Sequence, residues 1–88
     1  MYVSEEERVV AAVAEHLGAD PARIHANDAL EEDLGLAPVN RVRIAVRLEE
    51  LDEVLFPVEQ LETAWTVADM AMLLRAARVE RGNGRRAR

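Results

Sequence analysis

The side chains able to do covalent chemistry are few in this chain, and they are scattered. There is no cysteine, so thiolate nucleophiles, thiolate metal sites and disulfides are all excluded. Ser4 is the only serine. It is followed by Glu5, Glu6 and Glu7 and reads as the cap of a first helix, with Glu7 reaching back from the third helical position. Thr63 and Thr66 fall near the start of a late helix, where Thr66-Val67-Ala68-Asp69 is a second cap signature. His16 and His25 have no ligand-like spacing to each other or to carboxylates, so no metal is assigned to them. No nucleophile–base pair, metal cluster or phosphate-binding loop can be assembled from these residues, and catalysis by the chain is not expected.

The elements around them are helical. A first helix is expected over residues 4–17, with Val9, Val10, Val13 and Leu17 on its apolar face and Gly18 as its stop. Residues 18–37 read as a long loop pinned by Ile24 and Leu30 and closed by Gly35. Pro38 suits the first position of a central helix over residues 38–53, and it biases Ala37 towards the extended conformation of a cap. Ala37 brings no capping oxygen, a deficit of about 1 kcal/mol against Asp or Ser. The central helix has two apolar stripes: Ile44, Leu48, Leu51 and Leu55 on one side, Val39, Val42 and Val46 nearly opposite. One stripe must face the core, and the other is either covered by a neighbouring segment or offered as a contact surface. After Phe56-Pro57, a short helix fits within residues 58–63 and a last helix within 67–79, with Val67, Met70, Ala71, Leu73 and Leu74 inward. Residues 1–79 are thus expected to be one helical domain and 80–88 a disordered Arg-rich tail.

The stretch Glu32-Asp33-Leu34-Gly35, followed by a long helix containing Leu48-Glu49-Glu50, resembles the centre of the acyl carrier protein family. Leu17-Gly18 at the end of the first helix, Pro57 before the short one and Thr66-Val67 at the last one fit the same order of elements. The resemblance implies an all-α, four-helix bundle of three main helices and one short one, with a long loop between the first two. It also implies where a phosphopantetheine arm would be attached: a serine three residues after Gly35. Here that position is Pro38, and the triplet Asp-Ser-Leu is replaced by Ala37-Pro38-Val39. Proline has no hydroxyl to attack coenzyme A, so the expected cofactor set is empty. Trp65 would sit by the mouth of the family's acyl cavity, as a partly buried anchor or as a plug.

Charge bears on the choice of partner. The net charge is −6, yet residues 38–48 carry Arg41, Arg43 and Arg47 and no acid, and residues 75–88 carry six arginines against Glu80. The resemblance implies an acidic surround for the central helix, and this one is basic. Val39, Arg41, Val42, Arg43, Val46 and Arg47 are therefore the expected contact residues, facing a protein partner with an acidic or apolar docking surface. Like charges would turn away the family's usual arginine- and lysine-bearing enzymes. As a solvated face, the same arginines would pair locally, Arg47 with Glu50. The resulting expectation is a non-enzymatic adaptor or regulatory module beside fatty-acid, polyketide or related acyl-transfer enzymes. The alternative is a working carrier with a nonstandard attachment or a non-covalently bound acyl chain. No membrane span or nucleic-acid partner is expected, a tail contact to phosphates being the weaker reading, and the cytoplasm is the expected location.

Overall fold

The computed structural model describes residues 3–86. Its elements are α1 (Glu5–Leu17), a single 3-10 turn (Pro21–Arg23), α2 (Pro38–Asp52), α3 (Val58–Leu61) and α4 (Val67–Arg86). Among the described residues there is no strand, and one isolated antiparallel bridge joins Ala29 to Thr66.

Local signals set the helix ends. Ser4 and Glu7 form the expected reciprocal cap, each side chain taking the other residue's main-chain N–H. Gly18 closes α1 in the left-handed conformation at φ 65°, where a side chain would be strained. At α4 the cap is also reciprocal. The Asp69 N–H donates to Thr66 Oγ1 at 3.2 Å, and Asp69 Oδ2 accepts from the N–H groups of Thr66 and Trp65 at 3.0 and 2.8 Å. Those two main-chain donors hold the Asp69 carboxyl below its usual range.

α1 packs on α2 and α4 around Val9, Val13, Ile44, Leu48, Val67, Met70 and Leu74. The long loop is drawn in by Ile24, Leu30 and Leu36, all buried. It is stitched to the head of α4 by main-chain bonds: Leu30 to the Trp65 carbonyl at 2.9 Å, Val67 to the Asp28 carbonyl at 3.1 Å. Phe56 is core, and its N–H donates to Glu49 Oε2 at 2.7 Å, which fixes the exit from α2.

The structure differs from the sequence reading in two respects. Leu17, Leu51 and Leu55 are exposed, although each shares a helix side with core residues on the wheel. Leu55 lies past the end of α2, where Glu53 turns the chain at φ 55°. α4 continues to Arg86, so residues 80–86, expected as tail, are helical, and residues 87 and 88 lie outside the described residues. Its extension is held by Arg81, which donates to the Asp52 carbonyl at 3.2 Å and pairs with Glu53 at 3.7 Å.

Candidate functional site

The head of α2 is where loop, helix and connection meet. Gly35 turns the loop with φ 68°, Leu36 is buried, and Ala37 caps α2 without a side-chain bond. Pro38 is the first helical residue and is exposed. Residues 33–40 contain no hydroxyl or thiol side chain. Thr66 is committed to the α4 cap, and the Thr63 hydroxyl donates to the Gln60 carbonyl at 2.8 Å.

One turn further on, Arg41 points inward. It is only 8% exposed. Its Nη1 donates to the Ala64 carbonyl at 3.1 Å, its Nε to the Leu36 carbonyl at 3.4 Å, and its Nη2 pairs with Glu31 at 3.2 Å. A buried guanidinium is tolerated because its donors find carbonyls and a carboxylate. Arg41 thus locks the loop, the head of α2 and the α3–α4 connection together, and it leaves the set of expected surface contacts. A small cleft of about 60 Å³ remains between Ala29, Glu31, Glu32, Arg41 and Trp65. Trp65 itself is 60% exposed, so the anchoring is done by its main chain and by Arg41 rather than by the indole.

The valine stripe faces out. Val39, Val42 and Val46 are 57%, 41% and 46% exposed. Arg43 and Arg47 flank them, and Arg47 pairs with Glu15 of α1 at 3.3 Å rather than with Glu50. Of the six expected contact residues, the structure brings Val39, Val42, Arg43, Val46 and Arg47 to one exposed side of α2 and removes Arg41.

At the other end of α2 lies a second buried charge that the sequence reading missed. The Asp52 carboxylate is 2% exposed, 2.9 Å from Arg8 of α1 and 3.6 Å from Arg78 of α4. Arg78 also pairs with Glu5 at 2.6 Å. The signal was positional. Arg41 and Asp52 stand at the i, i+3, i+4, i+7 and i+11 spacing of Ile44, Ala45 and Leu48, on the buried side of the wheel.

Fold and site together define a small helical bundle of the carrier type, with a glycine-closed loop delivering the chain to the head of its central helix. Residues 7–74 match the family described as phosphopantetheine attachment site. Acyl carrier proteins of Bradyrhizobium strains ORS 278 and BTAi1 and of Nitrobacter hamburgensis are each 34% identical over 68 residues, covering 77% of this chain and 86% of each of those proteins. The chain belongs to this acyl carrier family, whose members are carrier proteins and not enzymes. No helix among the described residues is long and apolar enough to cross a membrane.

Proposed function

We propose that this chain is a carrier-shaped interaction module that does not take up phosphopantetheine. It would serve as an adaptor or regulatory subunit beside acyl-processing enzymes in the cytoplasm. The observation that carries the reading is Pro38 at the first position of α2, in a head that offers no hydroxyl. Phosphopantetheine transfer joins a side-chain oxygen to the phosphorus of coenzyme A, and proline supplies none. The residues at this site do not fit the group.

Binding is assigned to the outward side of α2. Val39, Val42 and Val46 supply apolar area, and Arg43 and Arg47 supply charge. A protein surface that is apolar and acidic complements both. Arg41 is a positioning residue in this reading, since its guanidinium fixes the head of α2 against the loop.

The test is incubation of the chain with coenzyme A and a promiscuous phosphopantetheinyl transferase, followed by intact mass spectrometry. The expected result is an unchanged mass. A gain of one phosphopantetheine overturns the proposal and favours a working carrier.

A further inference from the structure

The exposed side of α2 is not uniform along its length. Val39, Val42, Arg43, Val46 and Glu50 share it, at helical spacings of three, four and seven, and Glu53 follows at the turn that ends α2. The half at the head of the helix is basic: Arg43 and Arg47 are exposed there, Arg41 being turned inward, and residues 38–48 hold no acid. The other half is acidic. Glu49, Glu50 and Glu53, with Glu80 and the single cation Arg81 of α4, rim a groove of about 560 Å³ whose apolar lining is Val46, Val54, Leu55 and Ala77. Leu55 is 83% exposed there. Arg8, Arg41, Arg47, Arg78 and Arg81 each have a carboxylate partner within the chain. Among the described residues Arg43 and Glu50, both exposed on the shared side, have none.

We infer that this side of α2 is covered by a second copy of the chain, with the two α2 helices antiparallel across a two-fold axis beside Val46. A parallel arrangement sets basic half against basic half. The antiparallel one lays the valine-and-arginine half of each copy on the acidic groove of the other, and the two-fold does so twice. With the axis between residues 46 and 47, positions 43 and 50 lie at equal distances on either side of it. Arg43 of one copy then stands level with Glu50 of the other, on the same flank. Val46 meets its counterpart near the axis, and Val39 is carried past the end of the partner copy's α2, towards the groove beyond Glu53. An isologous contact of this kind closes at two copies and leaves no open end. The inference rests on the reading of α2 as a docking helix and names its occupant: the apolar, acidic surface asked of a partner is present on the chain itself.

The experiment is sedimentation equilibrium of the full chain, up to about 1 mM, for wild type, R43E, E50R and R43E/E50R. Both positions are exposed, and far-UV circular dichroism of each variant establishes that it folds. The expected result is a reversible monomer–dimer equilibrium that weakens with added salt. Each single reversal should weaken it about tenfold, because the symmetry counts every change twice, and the double reversal should restore it. A chain that stays monomeric over the whole range overturns the inference. So do single reversals without effect, or a double variant as weak as the singles. The mass assay on the same preparations keeps the two readings apart. A monomer that gains no phosphopantetheine sinks the dimer only, and a dimer that gains it sinks the attachment reading only.

Discussion

Replacing Asp52 by asparagine isolates the charge that joins three helices at the far end of α2. The substitution preserves the volume of a side chain that is 2% exposed, so cavity effects drop out and the carboxylate charge is what changes. Taking one partner from a buried ion pair generally destabilises by about 3–5 kcal/mol. Two features lower that figure here. The Arg8 side chain is 36% exposed and so is partly screened by water, and Arg78 keeps its pairing with Glu5. The expected loss is therefore about 2–3 kcal/mol. That is a large share of the roughly 4–13 kcal/mol available to a domain of this length. It corresponds to a fall in Tm of about 10–20 °C. Urea unfolding followed by far-UV circular dichroism measures it, with the slope m expected to be unchanged. A loss below about 0.5 kcal/mol refutes the reasoning, because it would mean that Arg8 and Arg78 are as well placed beside a neutral amide. The companion double variant Asp52→Leu with Arg8→Met removes the pair whole and should lie within about 1 kcal/mol of wild type.

Arg41→Ala strips donors from the Leu36 and Ala64 carbonyls and should destabilise by about 2–4 kcal/mol in the same titration, where a surface arginine would change it by less than 0.5. Asp69 has its carboxyl lowered by the Trp65 and Thr66 N–H groups. Its contribution is therefore fully present above the ordinary carboxylate value of about 3.9 and is lost as pH falls through the lower folded value. Asp69→Asn should accordingly be less stable than wild type at neutral pH, with the gap narrowing in urea titrations run at successively lower pH. Pro38→Ser with Ala37→Asp restores a hydroxyl and a cap at the head of α2. It should gain about 1 kcal/mol of stability and one phosphopantetheine by intact mass, and a variant that the transferase leaves unmodified would show that more than the missing oxygen blocks the reaction.

What could be read from the sequence was what is decided locally. Ser4 with Glu7, Gly18, Thr66 with Asp69 and Pro38 mark their helix ends because capping and proline geometry involve a few adjacent residues. The outward direction of Val39, Val42 and Val46 is not legible locally, because whether a second stripe is covered depends on segments distant in the chain. By charge Arg41 belongs with Arg43 and Arg47, but its position on the wheel is that of Leu48, and carbonyls 5 and 23 residues away make its burial tolerable. Asp52 is hidden from a local reading for the same reason, since its cations come from α1 and α4. Gly82 and Gly84 are poor helix formers and signal an earlier end to α4 than the structure shows, and the contacts of Arg78 and Arg81 with α1 and α2 outweigh that propensity.

The guanidinium of Arg41 at one end and the carboxylate of Asp52 at the other clamp α2 to its surroundings like a spindle held in two bearings. A rod mounted this way reaches any encounter already stiff, with its outer ridge in final form. Whatever closes over that ridge has little motion left to freeze, so three small branched side chains can hold a complex that a floppier helix of the same composition would let go.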